Sequence, residues 1–313
     1  MDDNRIPLPF HRGEQQMQQR AGMAARFAKP GAVGIRSAMP DQHRDFFALL
    51  PLLFVGSRDS NGQPWASVLT GMPGFATSPD AKTLRINAQP LAGDPLEENL
   101  GVGRDLGLLG IQLETRRRNR MNGSVTSLDT TGFTVSVAQS FGNCAQYIQS
   151  RRPHRVDVTS PSLQSEAASL SARACDLVAK ADTFFIATAA ADHGVDVSHR
   201  GGKPGFVRLD EDGNGSVLTV PDFRGNAFFN TLGNIALDAR AGLLFVDFDS
   251  GDLLMLAAHA EVVWDGAELA AFNGAERLLR LRVTHGRLLE RALPLRWSAP
   301  DYAPQLAKTG TWN

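Results

Sequence analysis

Apolar and polar residues alternate in several short runs along this chain, the period expected of half-buried strands. The clearest stretch runs from Val195 to Leu232. There VDVSHR alternates, GGKPGF supplies a sharp turn, SVLTV is a second strand of the pair, and PDFRGN opens into a helical stretch, AFFNTLGNI. Earlier, LLFVGSRDSNGQPWASVLT reads as a hairpin with its polar turn at Asp59 to Gly62. FFIATAA predicts another strand, and Arg280, Arg282 and Thr284 alternate with Leu281, Val283 and His285 in a long one. Helical spacing is confined to shorter pieces. Good helix formers run from Gly13 to Phe27, with Met17, Ala21 and Ala24 on one side. DFFALL, EAASLSARACDLVAKA and AELAAFNGAERLL are further helical segments. The expected fold is mainly β with flanking helices.

The pattern repeats. Ser67, Pro73, Gly74 and Phe75 match Ser198, Pro204, Gly205 and Phe206 at one offset, 198 − 67 = 131. Further on, GLLGIQLE from Gly107 matches GLLFVDFD from Gly242, and Asn99 matches Asn234, both at 242 − 107 = 135. A longer turn in the second copy, DEDGNGS, absorbs the difference. So long a period indicates a duplicated domain rather than a solenoid unit. The expected organisation is a helical N-terminal arm over 1–40, a first β domain over 41–152, a Pro- and Ser-rich linker over 153–166 and a second β domain over 167–313.

At 313 residues the chain has room for about two domains. Lys plus Arg number 32 against 33 for Asp plus Glu, a net charge of −1, so neither nucleic acid nor an anionic membrane is expected as the main partner. The two cysteines, Cys144 and Cys175, form no CxxC and no disulfide framework, and a reducing cytoplasm is the simplest compartment. The opening MDDNRIPLPFHRGE carries acids and no apolar h-region, so no secretory signal is expected. The longest strongly apolar run, Phe46 to Val55, falls short of the roughly 20 residues that span a bilayer.

Two features invite a ligand. The PDFRGN loop places glycine, a helix start with unpaired amides, and Arg224 together, as a phosphate requires; an ordinary turn and capped helix is the plainer reading. In LETRRRNRMNG, Arg116, Arg118 and Arg120 would share one face of a strand. They could protect a solvated edge, or cross a seam to an anion held by the second copy. The matching stretch there, LLMLAAHA, is apolar, which suggests one complete site per chain. His11 reads as a capping or surface residue. Asn143 is placed to cap a short helix anchored by Tyr147 and Ile148, and Cys144 reads as a packed thiol.

The segment around Asp196, Ser198, Gly201 and Lys203 to Phe206, followed by Pro221, Asp222, Gly225 and Asn226, resembles the flavin-binding core of the pyridoxamine 5'-phosphate oxidase-like split-barrel family. Phe10, His11, Gly13 and Glu14 resemble the start of a subgroup of longer flavin split-barrel proteins, and FGNCAQYI resembles an N-C-P-x-Y-I motif with Ala145 at the proline. The resemblance implies two tandem split barrels imitating the family's dimer within one chain, with FMN in the seam. It implies Ser198, His199 and Arg200 near the flavin ring, and Arg224, Gly225, Asn226 and Thr231 at its phosphate. Arg118, with Arg116, would reach across from the first copy. A closing stretch near the flavin makes Arg296 and Trp297 candidates for ring or substrate contacts, beside the alternative that Trp297 is core. One departure stands out: Ala227, Phe228 and Phe229 follow Asn226 where the family carries basic residues, leaving Arg224 to substitute.

No HExxH, Walker loop, Rossmann glycine motif or G-x-S-x-G elbow is present, and no metal site is expected. His193 and His199, near Asp192 and Asp196, would lie too far apart on a strand to share an ion. Two functions follow. One is an FMN-dependent oxidoreductase acting on a small molecule through flavin N5, with NAD(P)H as a transient reductant, no assigned catalytic residue, and a homodimer allowed. The other is a non-catalytic carrier or sensor of flavin, haem or a deazaflavin.

Overall fold

The computed structural model describes residues 10–27, 34–158, 161–191 and 193–312. Parts of the predicted arm and linker, and Asp192, lie outside the described residues. The chain begins with helices α1 (Arg12–Arg20), α2 (Ala24–Phe27) and α3 (Asp41–Ala48). Strands β1 (Leu52–Arg58), β2 (Pro64–Thr70), β3 (Ala76–Asp80) and β4 (Thr83–Ile86) follow, then α4 (Leu96–Asn99), β5 (Asp105–Gln112), β6 (Arg117–Asp129) and β7 (Gly132–Gly142). Two short strands, β8 (Pro153–Arg155) and β9 (Ser162–Glu166), precede α5 (Ala172–Lys180). The second half runs β10 (Thr183–Ala190), β11 (Gly194–Gly201), β12 (Arg208–Glu211), β13 (Ser216–Phe223), α6 (Asn230–Leu237), β14 (Arg240–Val246), β15 (Leu253–Val263), α7 (Ala267–Ala271), β16 (Ala275–Glu290) and β17 (Leu295–Trp297). The protein is mainly β, as its alternating runs predict.

The two large sheets share one strand order. The first reads β2-β1-β5-β6-β7-β4-β3, and the second reads β11-β10-β14-β15-β16-β13-β12. Their hydrogen-bonded neighbours pair antiparallel, in equivalent registers: Leu109 faces Arg120 in the first half, and Leu244 faces Met255 in the second. Asn99 donates to Ser57 and Asn234 donates to Thr188, two equivalent bonds at 3.0 and 3.1 Å. Each sheet has its own apolar core, and a third core lies between them with residues of both.

That seam has the form of a two-fold contact. Phe54 stacks on Phe185, its counterpart at 54 + 131 = 185, with ring centroids 3.5 Å apart. A Cβ on Gly107 would come within 2.7 Å of the Val195 carbonyl, and one on Gly242 within 2.3 Å of the Pro64 carbonyl. Since 64 + 131 = 195 and 107 + 135 = 242, each glycine packs on the counterpart of the other's partner, as in an isologous interface. Only glycine permits backbones this close.

Several local expectations are revised. The arm helix breaks at Gly22, which has φ 69°, so α1 and α2 are separate. The segment 153–166 contains β8 and β9, and β9 adds to β16. The helix expected from Glu166 starts at Ala172, capped by the Ser171 hydroxyl accepting from the Ala174 amide at 3.2 Å. The helix expected after Trp264 ends at Ala271, because Gly274 at φ 83° turns the chain into β16. No helix forms after Asn143, where Tyr147 adopts φ 61°. Finally, β11 and β13 are not hydrogen-bonded neighbours; they sit near opposite ends of their sheet. Among the described residues, no helix is long and apolar enough to cross a membrane.

Candidate functional site

A cleft of about 310 Å³ opens where the second sheet curls its ends together against the first half. The curl is visible in one ion pair: Arg200 of β11 binds Asp222 of β13, which also accepts from Arg277 of β16 at 2.8 Å. The cleft is lined by Ser198, His199 and Arg200 of β11, by Arg118 and Arg120 of β6, by the loop Arg224 to Ala227 and by the first turn of α6. Asn143, Cys144 and Tyr147 of the first half close one side, and Ala21, Met23 and Arg26 of the arm close another. Tyr147 stacks on Phe223 with centroids 5.0 Å apart.

The site is built on crossing arginines. Arg118 reaches from the first half to His199, its Nη1 3.0 Å from Nδ1, while its Nε donates to the Cys144 carbonyl at 2.9 Å. Guanidinium only donates, so His199 Nδ1 must accept and its Nε2 must carry the proton. Burial, then the cations Arg118, Arg200, Arg120 and Arg151, hold the His199 pKa well below the usual histidine range, and the ring is neutral. Burial likewise lowers Arg118 to about 10, which still leaves it charged at neutral pH. Arg120 pairs with Asp196 at 2.8 Å and donates to Ser198 and, at 3.2 Å, to Asn230.

Among the described residues six arginines line the cleft against two acids, Asp222 and Glu276, so it favours an anion. Helix α6 adds to this. Its N-cap, Phe229, sits at φ 63° and offers no side-chain acceptor, while Asn230, Thr231 and Leu232 at its start line the cleft. Free amides at a helix N-terminus attract phosphate. Asn226 forms the loop, accepting from the Phe228 amide at 3.1 Å. Thr231 and Ser198 hydroxyls meet at 2.8 Å.

Four buried polar atoms of cleft residues have no partner among the described residues: Arg120 Nε, His199 Nε2, Arg200 Nε and Asn143 Oδ1. Three donors and one acceptor left unsatisfied are costly unless a ligand meets them. An aromatic heterocycle with several acceptors, one N–H and an anionic tail has that complement, and a flavin mononucleotide is such a molecule.

The sequence-derived residues divide cleanly. Ser198, His199, Arg200, Arg118, Arg224, Gly225, Asn226 and Thr231 are brought together in the cleft. Arg116 is not. It precedes β6, in a left-handed conformation at φ 53° after a tight turn over Leu113–Thr115, so the alternation does not extend to it. Its guanidinium instead binds Asp301 at 2.8 Å and the Ile148 carbonyl. Arg296 and Trp297 are also elsewhere: Arg296 donates to the Leu293 and Leu295 carbonyls, and Trp297 packs edge-on to Phe248 in the seam core. Sequence reasoning grouped Arg120 with Arg116 and Arg118 as able to cross the seam but assigned it no ligand contact, and it did not select Asn230 or Arg277. Arg120 was visible in the same alternation as Arg118, whereas nothing local marks Asn230 or Arg277.

His193 and His199 do not converge on an ion: His193 stacks on His11, centroids 4.7 Å apart, away from the cleft. His11 is the N-cap of α1, accepting from the Gly13 amide in a capping box with Glu14.

No protein-family profile matches the chain, and no curated protein matches it. Solved structures give partial likenesses. A candidate pyridoxamine 5'-phosphate oxidase from Lactobacillus delbrueckii aligns at 20% identity and TM-score 0.30, over 39% of this chain and 94% of its own. HutZ, the haem storage protein from Vibrio cholerae, aligns at 13% identity and TM-score 0.27, over 39% and 95%. An FAD-binding protein from Mesorhizobium loti aligns at 12% identity and TM-score 0.27, over 41% and 97%.

Proposed function

We propose that the protein is an FMN-binding flavoprotein built from two tandem split barrels, and that it serves as an oxidoreductase for a small molecule. The observation that carries this reading is the set of unsatisfied donors and arginines, drawn from both halves, around a single cleft. Arg224 and the free amides of α6 would hold the phosphate. Arg118 fixes the His199 tautomer, so that a neutral imidazole N–H is available to an acceptor on the ring edge. Ser198 is held by Arg120 and Thr231, and Asn143 Oδ1 remains to accept the ring's N–H. FMN, when bound, supplies hydride or electron transfer.

Haem is the poorer fit at His199. Nδ1 accepts a hydrogen bond from Arg118 and Nε2 carries the ring proton, which leaves no free lone pair for iron. The test is an absorbance spectrum of freshly purified protein, with FMN titration if it is colourless. Flavin bands, or saturable quenching of added FMN, are expected. Colourless protein that ignores FMN refutes the reading, and bound flavin that neither NADH nor NADPH reduces, and that stays inert once reduced chemically, reduces it to a carrier.

A further inference from the structure

Helix α1 lies backbone-to-backbone against α6. A Cβ on Gly13 would come within 2.1 Å of the Gly233 carbonyl, and one on Gly233 within 2.6 Å of the Glu14 amide. Gln18 extends the contact to the Phe228 carbonyl at 3.3 Å. What this docking buries is a carboxyl group: Glu14 is only 5% exposed. Its Oε2 accepts from the His11 amide at 2.9 Å, and its Oε1 accepts from Asn230. Asn230 Oδ1 in turn accepts from Arg120, the arginine paired with Asp196 and bonded to Ser198. Side-chain contacts therefore run without a gap from the arm to the cleft, whose wall the arm completes through Ala21, Met23 and Arg26.

We propose that Glu14 is a positioning residue for the cleft, acting through Asn230 on Arg120, and that its protonation docks the arm over the bound ligand while its ionisation loosens it. The inference rests on the cleft being the ligand site. Glu14 is faced by His11 from its own helix cap at 3.6 Å, by Asn230 from α6, by Asp196 from β11 and by Arg120 from β6. Burial is the main cause that raises Glu14 to about 7, with Asp196 adding to it against the hydrogen bonds and Arg120. Burial and the neighbouring His193 lower His11 to about 4, so His11 supplies no compensating charge near neutrality.

The sign is fixed by which state holds the proton. Through Glu14 the docked arm binds a proton that the free arm, near 4.5, has already lost, so this contribution to docking weakens until pH passes about 7; His11, near 4 when docked and 6.5 when free, works the other way and strengthens docking as pH rises to about 6.5. Between pH 5.5 and 8 the Glu14 contribution falls roughly thirtyfold and the His11 contribution rises roughly tenfold, a net fall of roughly threefold. Hydrogen exchange on the full chain measures this directly, as protection factors of the α1 amides corrected for intrinsic rates. Wild type should lose roughly threefold protection over that interval and Glu14→Gln should gain roughly tenfold, a thirtyfold difference between the two, while Glu14→Ala should be unprotected at both values. The FMN dissociation constant should follow the same order. Wild type and Glu14→Gln sharing one pH dependence, or a fully protected Glu14→Ala, overturns the proposal. Should FMN fail to bind at any pH, the flavin reading falls, while the exchange data still decide the role of Glu14.

Discussion

Replacing Arg120 with methionine, the residue its counterpart carries at 120 + 135 = 255, isolates the ion pair at the base of the cleft. Arg120 and Asp196 are 8% and 4% exposed, and their side chains meet at 2.8 Å. Arg120→Met would leave the Asp196 carboxylate with Ser198 at 3.3 Å and Asn122 at 3.5 Å, and no cation to offset its desolvation. Breaking a buried pair by removing one partner costs about 3–5 kcal/mol. Removing both charges, in Arg120→Met with Asp196→Asn, should recover roughly 1–3 kcal/mol of that loss, because the desolvation cost leaves with the charge. Urea denaturation followed by the fluorescence of the four tryptophans reads both variants as shifts in midpoint. A single variant that loses less than about 1 kcal/mol, or a double variant less stable than the single, refutes the claim that the pair is buried and mutually dependent.

Asp94, whose burial raises it to about 7, accepts from Ser67 at 2.6 Å and from the Leu96 amide at 2.8 Å. Its stabilisation is complete below the ordinary carboxylate range and is lost as pH rises to about 7, so Asp94→Asn should raise Tm relative to wild type at pH 8 and not at pH 5. Gly242→Ala should cost at least about 2 kcal/mol, since the added methyl meets the Pro64 carbonyl at 2.3 Å; an unchanged denaturation midpoint would show that the seam yields. Arg118→Ala should weaken FMN binding by about ten- to a hundredfold, through loss of a charged donor and of the His199 tautomer, measured by fluorescence titration.

The architecture was legible because its signals are local and repeated. Ser67 and Ser198, or Gly107 and Gly242, announce two like halves, and the period-2 runs identify strands whatever they pair with. Pairing is a different matter. The strands SVLTV and VDVSHR are adjacent in sequence and look like partners, yet β13 bonds to β12 and β16 while β11 bonds to β10. The cleft was legible where residues from one segment share it, as with Arg224 to Asn226. It was illegible where distant segments meet: Asn230 matters because Glu14 lies against it, and nothing near either residue records that contact. Arg116 shows the converse limit, since three arginines at even spacing suggest one face and a single left-handed residue removes one of them.

The two flanks of the seam differ in polarity at equivalent positions. On one flank Arg118, Arg120, Asp196 and His199 form the polar cleft. Their counterparts on the other, Leu253, Met255, Trp65 and Val68, are buried together in the seam core. A seam polar on both flanks would carry two sets of buried charges, whose desolvation ion pairing offsets only in part. A seam apolar on both would be tighter and would have nothing to bind with. Because both halves lie in one chain, the two flanks need not match, as they must in a symmetric dimer where every residue appears twice. The apolar flank can then contribute the stability that holds Arg120 and His199, whose Nε and Nε2 have no partner among the described residues, in place beside the other.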